Sequence, residues 1–134
     1  MKATVHTNSR SIAADDFFTG MFETALEEDE IIESISFSKP TKANYVKFPN
    51  PASRYAMVGV FVAQFGDEVR VAVTGAGEGG VFRHQEMESV LSSNFSADSL
   101  SSVNIDSDGL ISDLHASAEY RANLIKEMTK RAVG

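Results

Sequence analysis

The central stretch of the chain, residues 56–80, restricts the possible folds more than any other part of the sequence. Two apolar runs, residues 57–65 and 69–73, flank the dipeptide Gly66-Asp67. A glycine in a two-residue connection between apolar runs is typical of a tight β-hairpin. The second run alternates valines with other residues, whereas the first run is apolar on both faces. We therefore predict a hairpin whose first strand lies centrally in a sheet.

The composition excludes several classes of protein. The chain of 134 residues is long enough for one domain with a single core. It has no cysteine, so a disulfide, a thiolate nucleophile and a zinc–sulfur site are all excluded. The net charge of −7 argues against binding to nucleic acid or to an anionic membrane. No apolar run is long enough to span a bilayer, and we expect a cytoplasmic protein.

The remaining segments read as strands first and helices afterwards. We predict strands at residues 2–7, 30–37 and 43–48, and a short helix that begins near Asp15. Helices are predicted at residues 81–92, around Leu100, and at residues 117–133. In the last of these, four apolar residues recur at four-residue spacing, namely Tyr120, Leu124, Met128 and Ala132. This order predicts an α+β sandwich, in which a mainly antiparallel sheet of three or four strands is covered on one face by about three helices.

The glycine-rich segment, residues 75–80, matches the G-x-G-x-x-G pattern of dinucleotide-binding loops. The preceding strand leaves a hairpin, however, and Glu78 would bring a carboxylate towards a pyrophosphate. We therefore interpret the segment as a link between a strand and a helix, either flexible or with glycines at positive φ, rather than as a phosphate site.

The residues that carry chemistry in other proteins do not converge in this sequence. The histidines His6, His84 and His115 lie far apart and lack a second ligand at metal-binding spacing, so we predict no metal site. The serines lack a G-x-S-x-G motif. We therefore predict no catalytic residue.

Four short segments together carry a family resemblance. They are residues 14–20 (ADDFFTG), 26–32 (LEEDEII), 58–60 (VGV) and 117–121 (SAEYR). In sequence and in order they resemble the C-terminal domain of the medium, FAD-binding subunit of carbon monoxide dehydrogenase and its relatives in the xanthine dehydrogenase family of molybdenum hydroxylases. The resemblance covers nearly the whole chain.

The resemblance implies the same α+β fold and an electron-transfer role. In the family, this domain follows two FAD-binding domains, and the flavoprotein subunit works with an iron–sulfur small subunit and a molybdenum large subunit. The resemblance thus identifies residues 1–134 as one domain of an oxidoreductase subunit, without its upstream FAD-binding domains. We expect this chain to bind no FAD by itself, to be inactive alone, and to expose an apolar patch through which it self-associates.

The resemblance also implies a flavin-proximal site. Lys47 matches a family lysine that approaches the isoalloxazine ring, where an ammonium stabilises negative charge on a reduced flavin. Phe48, Arg54 and Tyr55 belong to a variable loop that controls access to the flavin in relatives. Pro49 and Pro51 distinguish this loop from the charged loop of nicotinamide-using relatives, so the electron acceptor is open.

An alternative function is compatible with the same residues. The chain can be a free-standing small domain that binds a protein or a small ligand through its strand-rich face and residues 75–80. The two hypotheses differ in whether FAD-binding domains belong to the same polypeptide.

Overall fold

The computed structural model describes every residue from Met1 to Gly134, and backbone contacts divide the chain into two compact units, Met1–Lys39 and Pro40–Gly134. The sequence led us to expect one domain over residues 1–134. The equivalence of these residues to one domain of a larger subunit stays a prediction.

The Met1–Lys39 unit contains a three-stranded antiparallel sheet and a small hairpin. Its elements are β1 (Ala3–Thr7), β2 (Ser11–Ala13), α1 (Ala14–Phe17), β3 (Phe18–Gly20), β4 (Glu23–Thr24) and β5 (Ile32–Phe37). The sheet has the order β2-β1-β5, and β3 pairs with β4. The predicted strands at residues 2–7 and 30–37 and the helix near Asp15 are confirmed. Strands β2, β3 and β4 were not predicted, because strands of two or three residues carry no periodic signal.

The Pro40–Gly134 unit is organised around a four-stranded antiparallel sheet. Its strands are β6 (Lys42–Pro49), β7 (Ala56–Phe65), β8 (Glu68–Gly77) and β9 (Gly80–Arg83), in that spatial order. The predicted hairpin is confirmed, since Phe65 pairs with Glu68 and Gly66 has a φ of 63°. Strand β7 lies between two neighbours, as its apolar composition predicted.

Helices cover one face of this sheet. They are α2 (Gln85–Ser93), a 3-10 helix (Ala97–Ser102) and α3 (Ala118–Val133). Alternate valines of β7 and β8 form the core with the apolar residues of these helices, among them Met87, Leu91, Leu100, Ile125 and Met128. The predicted α+β fold class is therefore confirmed. No helix has the length and apolar composition needed to cross a membrane.

Helix α3 follows its predicted pattern closely. The Ser117 side chain accepts a hydrogen bond from the backbone N–H of Tyr120 at 3.2 Å, which caps the N-terminus. Leu124 and Met128 are buried as predicted, whereas Tyr120 is 44% exposed. At the other end, Lys42 and Asn44 of β6 donate to the carbonyl groups of Val133 and Ala132, at 3.3 and 3.2 Å. These bonds fasten the helix to the edge strand of the sheet.

The prediction of a helix from residue 81 is wrong. Residues Gly80–Arg83 form strand β9, which pairs with β8, and helix α2 begins only at Gln85. Phe82 stands opposite Val73 in the ladder and packs against the core. A four-residue segment with two apolar side chains next to a helix can be read as a helical turn, and only its long-range pairing shows that it is a strand.

Candidate functional site

The candidate site begins at the end of strand β6, where Lys47 and Phe48 point to opposite faces of the sheet. Phe48 packs against the core under the helices, and its ring meets that of Tyr120 edge to face at 6.2 Å between centroids. Lys47 lies on the other face, opposite Gly59 of β7. The two residues therefore cannot face the same ligand from strand β6.

Gly59 has no side chain, and the Tyr45 side chain occupies the space above it. A Cβ atom at Gly59 would lie 2.5 Å from the hydroxyl of Tyr45 and 2.8 Å from the Thr74 methyl group. The Tyr45 ring thus lies across the glycine, one residue pair along β6 from Lys47. On the face of the sheet that carries Lys47, its neighbours are therefore Tyr45, Gly59 and Thr74.

Asn50 organises the connection between β6 and β7. Its side chain is only 2% exposed, and its Oδ1 atom accepts hydrogen bonds from the backbone N–H groups of Ala52 at 2.9 Å and Ser53 at 3.3 Å. Its own backbone N–H donates to the carbonyl of Tyr55, and its carbonyl accepts from the N–H of Arg54. Such an Asx turn closes the loop on itself, so residues 50–55 are held in one conformation.

Lys47 is tied directly to this loop. Its Nζ donates a hydrogen bond to the backbone carbonyl of Arg54 at 3.0 Å. Arg54 has a φ of 64°, a conformation that is uncommon for a residue with a side chain. The bond from Lys47 therefore helps to stabilise the backbone at the end of the loop.

The structure brings together three of the four predicted site residues. Lys47, Arg54 and Tyr55 are exposed and lie at the same end of the sheet, linked by the bonds to Arg54 and Asn50. Phe48 lies behind them, in the core. Lys47 and Arg54 add two exposed basic residues to this end of the sheet, in a chain of net charge −7. Their roles towards a flavin stay predictions.

Asn50 is not among the residues predicted for the site, although the sequence contains a signal for it. An asparagine between Pro49 and Pro51 has the turn chemistry of an Asx residue. Its burial, in contrast, depends on the fold around it.

A buried arginine fixes the start of β7 behind the loop. Arg121 of α3 is 1% exposed, and its Nη1 donates to the carbonyl groups of Met57 at 2.6 Å and Gly75 at 3.1 Å. Its Nη2 donates to the Asp113 carboxylate at 2.9 Å. Gly75 has a φ of 78°, and a Cβ atom there would collide with the carbonyl oxygen of Ala56. This residue must therefore be glycine for its carbonyl to meet the guanidinium.

Backbone hydrogen bonds hold the carboxylate of Asp113 in position to pair with Arg121. Backbone N–H groups of His115 and Ala116 donate to its Oδ1 at 2.9 and 3.0 Å. These bonds and the Arg121 guanidinium hold the pKa of Asp113 below its ordinary value. The structure thus identifies Asp113 as the ion-pair partner of Arg121.

The glycine-rich segment does not form a phosphate-binding loop. Gly75 and Gly77 belong to β8, Gly80 begins β9, and Glu78 and Gly79 form the turn of this hairpin. The expected link to a helix is therefore wrong, because the segment joins two strands. Without a following helix N-terminus, the chain offers no dipole to a pyrophosphate at this position.

A cavity of about 200 Å³ lies elsewhere in the Pro40–Gly134 unit, and none of the predicted site residues lines it. Its lining residues are Phe82, His84, Ile105, Asp106, Asp108, Gly109 and Leu110. His84 Nδ1 accepts the N–H of Met87 at 3.3 Å at the start of α2, and burial lowers the pKa of this histidine. No group of three or more His, Cys, Asp and Glu side chains in the chain is arranged to hold a metal ion.

Comparisons with known proteins identify relatives of this chain. No protein-family model matches it. The nicotine 6-hydroxylase medium subunit of Paenarthrobacter nicotinovorans is 35% identical over 134 aligned positions, which cover 92% of this chain and 47% of that subunit. The crystal structure of quinoline 2-oxidoreductase from Pseudomonas putida 86 superposes with a TM-score of 0.76 at 24% identity, over 98% of this chain and 51% of the matched one. The chain spans about half the length of these proteins, and by its identity to the nicotine 6-hydroxylase medium subunit it belongs to the family of molybdenum hydroxylase medium subunits.

Proposed function

We propose that this chain forms the part of a molybdenum hydroxylase medium subunit that borders the flavin and contributes contacts within the assembled enzyme. The family supports FAD as the cofactor of the whole subunit, and iron–sulfur and molybdenum proteins as its partners. The bound flavin would pass electrons between these centres and an external acceptor. The chain alone is not catalytic.

The hydrogen bond from Lys47 Nζ to the Arg54 carbonyl is the observation that carries the proposed site. This bond uses one donor of the ammonium and leaves others directed at solvent. A positive group on a rigid strand can stabilise negative charge on the isoalloxazine ring, and residues 50–55 would limit access to it. The donors in this chain fit one edge of a flavin and not its pyrophosphate, because residues 75–80 form a hairpin with Glu78 at its turn.

The proposal is tested first by titrating the chain with FAD while flavin fluorescence is measured. We expect no saturable quenching, because the chain lacks a pyrophosphate site. The second protein to be titrated is a chimera, defined as the nicotine 6-hydroxylase medium subunit in which this chain replaces the matching segment. We expect the chimera to bind FAD, and a folded chimera without flavin would contradict the proposal.

The role of Lys47 is tested in that chimera by Lys47→Ala. Loss of one positive charge beside the ring should lower the two-electron reduction potential of the bound flavin by roughly 30 mV, which corresponds to about 1.4 kcal/mol. Lys39→Ala, at another exposed lysine, is the matched control and should leave the potential unchanged. Equal potentials for wild type and Lys47→Ala would refute the role of Lys47.

A further inference from the structure

The apolar face of the sheet in the Met1–Lys39 unit is covered over two strands and bare over the third. Val5 of β1 stands opposite Ile12 of β2 and Ile35 of β5, so the three side chains share one face. Val5 and Ile12 are buried in a cluster with Phe17. Ile35, in contrast, is 54% exposed, and Phe37 on the same face is 61% exposed. The cover therefore ends at β1.

The other face of the same sheet is polar. His6 of β1 bonds through Nδ1 to the Ser11 hydroxyl of β2 at 2.9 Å, and through Nε2 to the Ser36 hydroxyl of β5 at 2.8 Å. This row of polar side chains crosses all three strands, and its hydrogen bonds are exposed to solvent. The sheet is thus amphipathic, and the apolar residues of β5 face the side that proteins normally bury.

Strand β5 also has a free edge. It pairs with β1 only, so no strand borders its other side. Natural edge strands are usually protected by proline, lysine or a short length. Residues Ile32–Phe37 contain no proline or lysine, and their one charged residue is Glu33.

The unit has a small apolar core for its length. It comprises 39 residues, and its core has three buried apolar side chains, Val5, Ile12 and Phe17. Units below about 40 residues usually need a disulfide, a metal or a partner for stability. The chain has no cysteine and no metal cluster to supplement this core, and a strand from a partner would enlarge it.

We propose that β5 is a docking edge, on which a strand from the part of the medium subunit outside this chain extends the sheet and covers Ile35 and Phe37. This proposal rests on the proposed function, since the occupant is a segment of the same subunit. The chain spans only 47% of the related medium subunit, so enough polypeptide exists there to supply the strand.

Charge argues against a second copy of this chain as the occupant of this edge, in contrast to the self-association expected from the resemblance. Residues 1–39 contain eight acidic and three basic residues. Two such surfaces would repel each other across a β5–β5 pairing. A strand that is neutral or basic, and apolar on one face, complements this surface.

The test measures backbone amide exchange of Ile32–Phe37 in the isolated chain and in the chimera with the nicotine 6-hydroxylase medium subunit. We expect these amides to exchange at least about tenfold more slowly in the chimera, because strand pairing and cover protect them. Exchange at the same rate in both proteins would overturn the proposal. So would protection in the isolated chain that rises with its concentration together with dimer formation, because a second copy would then be the occupant.

Two variants with the same added charge separate docking from folding. Ile35→Asp places the charge on the bare apolar face, and Ser34→Asp places it on the polar face of the same strand. Both residues are exposed in the isolated chain, so both variants should melt within about 4 °C of the wild-type chain. In the chimera, only Ile35→Asp should abolish the protection of β5.

A second measurement applies where the chimera does not fold. The chain is mixed with a separate polypeptide that contains the remaining part of the nicotine 6-hydroxylase medium subunit. Unchanged β5 exchange at about 100 µM of this polypeptide would overturn the proposal. Protection of β5 is read from amide exchange and the role of Lys47 from a flavin potential, so failure of the proposed function and failure of the docking edge are distinguishable.

Discussion

The Nζ atom of Lys47 donates a hydrogen bond to the backbone carbonyl of Arg54, seven positions later, at 3.0 Å. This bond spans the connection between β6 and β7 and joins its last turn to the strand where it begins. Asn50 holds the interior of the same loop. The site is therefore a rigid loop anchored at both ends, which suits a surface that positions a cofactor or limits access to it.

Asn50→Ala should lower the free energy of unfolding by about 1–2 kcal/mol. The substitution removes the Oδ1 atom that accepts from the N–H groups of Ala52 and Ser53, which leaves these donors without their partner. Urea unfolding measures the change. Ser53→Ala is the control, because its side chain is exposed and makes no hydrogen bond in the loop, and equal losses for both variants would contradict this account of the turn.

Arg121→Met should destabilise the chain by about 2–3 kcal/mol. The methionine fills much of the buried volume but leaves the carbonyl groups of Met57 and Gly75 without a donor. Removing one partner of a fully buried ion pair usually lowers the free energy of unfolding by more than this. The side chain of Asp113 is 35% exposed, however, so water can replace part of the interaction.

The matched control for Arg121 lies on the same helix. Arg131 is exposed, and Arg131→Met should change the free energy of unfolding by no more than about 0.5 kcal/mol. Chemical denaturation of both variants measures the difference. If Arg121→Met lowers the free energy of unfolding as little as Arg131→Met does, the buried hydrogen bonds of Arg121 make no net contribution to stability.

Glu30 should make the Met1–Lys39 unit sensitive to acid. Its carboxylate accepts from Arg10 Nε at 2.7 Å and Nη2 at 2.8 Å, and also from Glu27 N–H and the hydroxyl groups of Ser9 and Thr7. The Arg10 bonds contribute most, and together these groups hold the pKa of Glu30 far below its ordinary value. The stabilisation is therefore complete above the unfolded pKa of about 4.3 and is lost as the pH falls towards the folded pKa.

The measurement for Glu30 is the stability of wild type and Glu30→Gln between about pH 7 and pH 3, followed by amide exchange in β1 and β5. We expect Glu30→Gln to be the less stable protein at neutral pH and the difference to shrink below about pH 4. Glu28→Gln removes the same charge from an exposed residue that contacts none of these groups, and it should stay close to wild type. A difference for Glu30→Gln that is constant with pH would contradict the linkage.

Patterns within short stretches of sequence were sufficient for much of the fold. The dipeptide Gly66-Asp67 between apolar runs predicted the β7–β8 hairpin, and the spacing of Leu124 and Met128 together with the Ser117 cap predicted α3. Turn residues and hydrophobic periodicity are patterns among residues close together in the chain, so they can be recognised without the tertiary structure. The local pattern of β9 predicts a helix, because the strand conformation of this segment depends on its pairing with β8.

The sequence by itself determined the hairpin, the α+β order of elements, the exclusion of cysteine chemistry and, through a family resemblance, the choice of Lys47. The tertiary structure alone decided that Phe48 faces the core, that Asn50 and Arg121 are the buried residues that support the loop, and that residues 75–80 are a turn between strands. It also exposed Ile35 and Phe37 on an uncovered face of β5. These features depend on sheet register, burial and hydrogen bonds between residues far apart in the chain, and no local pattern encodes them.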